Sequence, residues 1–296
     1  MPRNPAPSQD DTVAVAARRA IEQRVRKLRK KLPKAARQSA GDIEPVHRLR
    51  VASRRAAAAL RLFQDVLPKG PRNRLMRNLK RARQAAGDAR DLDVLMERLG
   101  AVEPPPTHVL QVLAEQRDKA QRAVKRASRE LDGGRKLKKL SRRLWKKAPG
   151  KGAGQTAVAP WALERTIALI DRLDAARPNT REAEALHQFR IEAKRLRYAV
   201  EILAGVLPAG YADETLPRLK TVQDRLGAIN DHASAMTRFE HWGDEASRFE
   251  AATLAEREQA AFAAAVESFW TWRESDGDRL IGELREPLGR SLQVHL

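Results

Sequence analysis

Two histidines, each followed by cations at helical spacing, are the residues of this chain best suited to do chemistry. His47, Arg50, Arg54 and Arg61 stand at spacings of 3, 4 and 7. His187, Arg190, Lys194 and Arg197 follow the same rule as far as their fourth member. Such spacings put side chains on one side of an α-helix, and the first row would extend about 21 Å at 1.5 Å per residue. Arg offers a planar fork that grips phosphate oxygens, and Lys a mobile point charge. A row of this kind suits an anion with charge along its length.

The two rows belong to an internal repeat. HRLRVASRRAAAALRLFQDVLPKG begins at His47, and HQFRIEAKRLRYAVEILAGVLPAG at His187. At an offset of 140 residues the chain pairs His47/His187, Arg50/Arg190, Arg55/Arg195, Leu67/Leu207, Pro68/Pro208, Lys80/Lys220, Gly87/Gly227 and Asp91/Asp231 without a gap. Arg54/Lys194 keeps the charge. A basic helix face is usually just solvated, but recurrence at identical positions argues against that here. The opposite faces are apolar: Leu49, Ala56, Leu60, Phe63 and Leu67 in one copy, and Phe189, Leu196, Val200, Leu203 and Leu207 in the other. The next helix packs through Leu75, Leu79, Ala82 and Ala86, or Leu219, Val222 and Leu226.

The elements that must position these rows read as helices throughout. Ala, Leu, Arg, Lys and Glu dominate, and no apolar/polar alternation between hairpin turns appears. Helices are expected at Thr12–Leu32, stopped by Pro33, at Pro45–Pro68 and at Pro71–Ala86, with a shorter one after Gly87-Asp88. Further helices are expected at Thr107–Leu131 and from Gly134 to Trp145. In the second half they fall at Trp161–Ala176, from an Asn179/Glu182 capping box to Pro208, at Leu216–Leu226, Asn230–Trp242 and Glu245–Arg273, before a short final segment. Residues 1–9 read as a disordered tail, 10–147 as the first repeat, 148–160 as a Gly/Pro/Ala-rich linker, and 161–290 as the second repeat.

Composition narrows the partners. With 58 Lys+Arg against 38 Asp+Glu the net charge is +20, which calls for nucleic acid, polyphosphate or an anionic membrane surface. Cysteine is absent, which excludes disulfides, thiolate metal sites and Cys nucleophiles. No uncharged apolar run approaches the roughly 20 residues of a membrane span, and no secretory signal opens the chain, so a cytoplasmic location is expected.

The His-x-x-Arg-x-x-x-Arg/Lys-Arg run, once per half, with Gly-Asp-Ala-Arg-Asp-Leu-Asp at 87–93 and Leu-Gly-Ala-Ile-Asn-Asp at 226–231, resembles the CHAD domains, conserved histidine α-helical domains. The resemblance spans about residues 10–290. It implies an all-α fold of two pseudo-symmetric four-helix bundles, whose basic helices line a central groove or pore that binds inorganic polyphosphate. Residue by residue it points to His47, Arg50, Arg54, Arg55, His187, Arg190, Lys194, Arg195 and Arg197, with Lys80 and Lys220 added. One departure is Ala57 where the second copy has Arg197; Arg61, matched to Glu201, is the partial substitute. The first copy is therefore expected to contact fewer phosphates. Granule association goes with this reading.

Other readings stay open at this point. The histidines could be helix-start residues bonded to backbone carbonyls. Asp88, Asp91 and Asp93 look like a Mg²⁺-holding cluster, but the second copy has Ala228, Asp231 and Ala233, and a helix cap plus an Asp91–Arg pair is simpler. No metal or other cofactor is expected. The run Arg135–Lys147 is a packed helix with a solvated face, an extension of the polyanion surface or a contact for an anionic membrane. No P-loop, nucleophile elbow or HExxH supports an enzyme, although a phosphohydrolase acting on polyphosphate is the catalytic alternative. Sequence-independent nucleic-acid binding is the main rival. It sits poorly with 4% aromatic residues, of which only Tyr198 lies among the motif cations.

Overall fold

The computed structural model describes residues 6–37, 42–146 and 155–294. These residues are helical, with connecting turns and no β-sheet among them. The chain divides into two compact units, Asp11–Thr156 with Met1–Pro7, and Ala157–Leu296 with Ser8–Asp10.

The first unit holds five α-helices among the described residues: α1 (Val13–Ala36), α2 (Glu44–Leu62), α3 (Lys69–Gly100), α4 (Thr107–Glu130) and α5 (Arg135–Leu144). α1 packs on α2, α2 on α3, α3 on α4 and α4 back on α1, while α5 lies against α1 and α3. Thr12 caps α1, its hydroxyl oxygen accepting from the Val15 N–H at 3.4 Å. α5 starts at Gly134, whose φ of 94° disfavours a side chain. A Cβ there would lie 3.1 Å from the Arg29 Cα, so glycine lets the turn seat on α1.

The second unit holds α6 (Val158–Ala175), α7 (Ala183–Leu203), α8 (Tyr211–Glu240), α9 (Arg248–Trp272) and α10 (Asp278–Val294). One wider turn, Arg273–Gly277, joins the last two. α6 packs on α7, α7 on α8 and α8 on α9, with α10 against α6 and α8. The Tyr211 hydroxyl ties α8 to α10 by donating to the Leu284 carbonyl at 2.9 Å. Burial pushes that phenol up to about 12.

Every apolar position assigned to the motif helices is buried, from Leu49, Leu60 and Phe63 to Phe189, Leu196 and Leu203. Phe63 is fully enclosed, and truncating such a ring costs about 3–5 kcal/mol. Helix boundaries differ from the sequence expectation in several places. Gly87 and Gly227 do not break the chain; α3 and α8 run through both, and Asp88 is an exposed mid-helix residue rather than a cap. One interior glycine costs about 1 kcal/mol, which burial of Leu79, Ala82, Ala86, Ala89 and Leu92 on either side of Gly87 outweighs. Pro33 lies inside the last turn of α1, which continues to Ala36. There a missing N–H removes a single bond near an end that frays in any case.

α7 begins at Ala183 with no side-chain cap, so Asn179 and Glu182 form no capping box. The final segment is the 17-residue α10 rather than a short tail. At the other end, Pro7 is buried and the Gln9 amide donates to the Val206 carbonyl at 3.4 Å. Residues 1–5, and 147–154 of the expected repeat end and linker, lie outside the described residues, and α6 starts within the expected linker at Val158. No helix of the described residues is long and apolar enough to cross a membrane.

Candidate functional site

α2 is started by local polar bonds. The Asp42 carboxylate accepts from the Glu44 N–H at 3.2 Å, Pro45 occupies the first turn, and Glu44 accepts from Arg48 Nε at 2.5 Å. Its core face then leaves His47, Arg50 and Arg54 half-buried and Arg61 exposed.

Arg50 is tied to the next helix. Its Nη1 donates to the Gly87 carbonyl at 2.9 Å and to Asp91 Oδ1 at 2.7 Å. One guanidinium thereby joins α2 to α3. The expected pairing of Asp91 with a motif Arg is observed, and it leaves Asp91 engaged in an ion pair. Asp93 is buried and held by Arg117 Nε at 2.5 Å. Arg117 also donates to Gln121, which reaches the Ala35 carbonyl at 2.8 Å, stitching α3, α4 and α1 together. Among the described residues no group of three or more His, Asp or Glu side chains is gathered as a metal site would require.

His47 carries the clearest electrostatic signature. Burial, first, and then Arg90 hold its pKa below the ordinary imidazole value; Glu44 pulls the other way, and Arg50 and Arg48 add smaller downward pushes. Its protonation is disfavoured by the same cations that would greet an anion. Arg90 was not singled out from the sequence, because its partner in the repeat is Asn230 and the identity is lost there.

In the second copy Arg190 meets Asn230, its Nη1 donating to the amide oxygen at 2.8 Å. Asn230 in turn lies within 3.4 Å of the Ser234 hydroxyl, which donates to the Asn230 carbonyl at 2.7 Å. His187, exposed, and Arg190 open onto a cavity of about 520 Å³ floored by Leu226, Ile229 and Phe262. Lys194 is half-buried, and Arg197 lies 3.5 Å from Glu201 and 5.5 Å over the Tyr198 ring.

The remaining expected residues divide. Arg55 is exposed. It and Arg48 are among the charges that, after burial, lower the pKa of Lys31. A position eight residues past His47 is rotated by about 80° from it, so Arg55 stands beside the row rather than in it. Arg195, its counterpart, pairs with Glu192. Lys80 is exposed on α3, and Lys220, exposed on α8, pairs with Asp224 four residues on. The structure brings His47, Arg50 and Arg54 onto one face of α2, and His187, Arg190, Lys194 and Arg197 onto one stretch of α7.

Comparison with known proteins completes the picture. The family model described as CHAD domain matches residues 19–240, well over half of the chain. The crystal structure of the CHAD domain from the plant Ricinus communis superposes with a TM-score of 0.71 at 21% identity, over 97% of this chain and 94% of that one. PptA from Streptomyces chartreusis superposes with a TM-score of 0.61 at 19% identity, over 90% of this chain and 99% of that one. No curated protein matches the sequence. The repeated motif, the helical fold and the family match agree, and the chain belongs to the CHAD domain family.

Proposed function

We propose that this protein binds inorganic polyphosphate through the basic faces of α2 and α7 and performs no chemistry on it. The observation that carries this reading is the repeated row, His47–Arg50–Arg54 and His187–Arg190–Lys194, set on helices whose opposite faces are buried. Such a row presents fork and point-charge donors in line, which matches a polymer with charge on every unit and no bases to read. Arg50 and Arg190 are each held by α3 or α8, so part of the row is oriented before any anion arrives. Attachment to polyphosphate granules follows from the same affinity and is part of the proposal.

The test is a competition among long-chain polyphosphate, duplex DNA and single-stranded RNA at matched phosphate concentration in moderate salt. Polyphosphate is expected to displace both nucleic acids, with affinity falling steeply as salt rises through counterion release. Equal affinity for all three polymers would overturn the reading in favour of a general nucleic-acid surface. Release of free phosphate during the incubation would overturn its non-catalytic part.

A further inference from the structure

The fifth helices of the two units do the same packing work and meet solvent in opposite ways. α5 lies against α1 and α3, and α10 against α6 and α8. Leu137, Leu140 and Leu144 are buried in the first, and Leu280, Ile281, Leu284 and Leu288 in the second. On α10 the charges alternate in sign and find partners. Arg285 reaches Asp171 at 2.6 Å, Glu283 meets Arg218 at 2.8 Å, and Asp278 meets Arg177 at 3.3 Å. On α5 every exposed residue is a cation: Arg135, Lys136, Lys138, Lys139, Arg142 and Arg143. Among the described residues only Arg135 of these forms an ion pair, with Asp132 at 2.6 Å.

Packing does not require that face, since α10 fills the matching place with balanced charge. It also has a cost. Like charges three and four residues apart on a helix repel, and cations in a first turn oppose the helix dipole. A face kept wholly cationic against these terms is matched to something anionic. The ten residues span about 15 Å and carry two adjacent stripes, Arg135–Lys138–Arg142 and Lys136–Lys139–Arg143, with room for a linear chain along them. A bilayer fits less well, because the leucines that would enter it are turned into the bundle.

We propose that α5 is a second polyphosphate-binding surface, separate from the α2 row, so that one long polymer engages the first unit twice. This rests on the function proposed above. Two linked contacts raise the affinity for long chains through effective concentration.

The test uses the full chain in three forms: unaltered, with Lys138, Lys139, Arg142 and Arg143 changed to Gln, and with Lys119, Arg122, Lys125 and Arg126 of α4 changed to Gln. The two variants lose the same charge, and Gln keeps helix propensity; circular dichroism melts check that each folds. Long-chain polyphosphate is expected to bind the α5 variant about 10- to 100-fold more weakly, and the α4 variant nearly as well as the unaltered chain. Equal weakening in both variants, or none in the α5 variant, overturns the α5 site while leaving the proposed function standing. So does an α5 variant that keeps polymer binding and loses binding to vesicles containing phosphatidylserine, which would assign α5 to a lipid surface. An unaltered chain that binds no polyphosphate overturns the proposed function itself.

Discussion

The two copies of the motif hold their first arginine differently. Arg50 is clamped by a carboxylate, Asp91, together with the Gly87 carbonyl, whereas Arg190 is met by the neutral amide oxygen of Asn230. Further along the row the arrangement reverses. Arg197 lies against Glu201, while the matched positions in the first copy are Ala57 and the exposed Arg61. The first copy thus sets its first arginine beside a carboxylate, and the second sets Arg195 and Arg197 beside carboxylates further along. Charge available to a ligand depends on where the carboxylates sit as well as on how many arginines there are.

The largest break in the comparison lies behind the rows. Asp93 and Arg117 form a buried ion pair in the first unit, and the position matching Asp93 is Ala233 in the second. Removing one partner of such a pair leaves an uncompensated buried charge and costs about 3–5 kcal/mol. Arg117→Met should therefore lower the denaturation midpoint sharply, read by urea titration. A change below about 1 kcal/mol, the scale of an exposed pair, would show that the pair is not needed to hold α3 and α4 together.

Exchanging the ties sharpens the comparison at smaller amplitude. Asp91→Asn should make the first copy resemble the second and tighten polyphosphate binding a few-fold, with a stability loss of at most about 1 kcal/mol because the carboxylate is largely exposed. Asn230→Asp should do the reverse and weaken binding a few-fold. Equal affinities across both variants and the parent protein would place Arg50 and Arg190 outside the anion's reach, as helix ties only.

The smallest effect concerns protons. His47 titrates below the ordinary imidazole range, so the unfolded chain takes up that proton first and the unliganded protein loses stability as pH falls through that range. A bound polyanion favours the imidazolium and raises the pKa. Binding should then tighten as pH falls between roughly 8 and 5.5, by less than the few-fold changes expected of the exchanged ties. His47→Gln should flatten this dependence. A pH profile unchanged by His47→Gln would remove that imidazole from charge pairing.

Much of this was legible before the fold was known, because periodicity and repetition are both written in residue order. The buried faces through Leu49, Leu60, Leu196 and Leu203 followed from spacing alone, and a pairing of Asp91 with a motif Arg was among the alternatives it left open. Helix ends were harder to read. Gly87, Gly227 and Pro33 punctuate isolated helices, but packing against neighbouring helices outweighs a penalty of one residue. The partners of cations were harder still. Nothing local links Arg117 to Asp93, 24 residues away, or puts Arg90 beside His47, because both depend on how helices meet. The aromatic group at the end of α9 was missed for the same reason. There Arg273 stacks 4.1 Å from the Trp270 ring and Arg225 lies 5.5 Å from that of Trp272.

The central claim is that the two rows are a polyphosphate site rather than a solvated face. Titration of long-chain polyphosphate into the protein and into the Arg50→Ala, Arg54→Ala, Arg190→Ala, Lys194→Ala variant tests it most directly. Both forms are first shown to be folded by thermal melting. A loss of affinity of at least about 100-fold is expected, since charge-assisted hydrogen bonds contribute roughly 1.5–3 kcal/mol each and four are removed. Unchanged affinity in a folded variant would contradict the account and leave the repeat as scaffold.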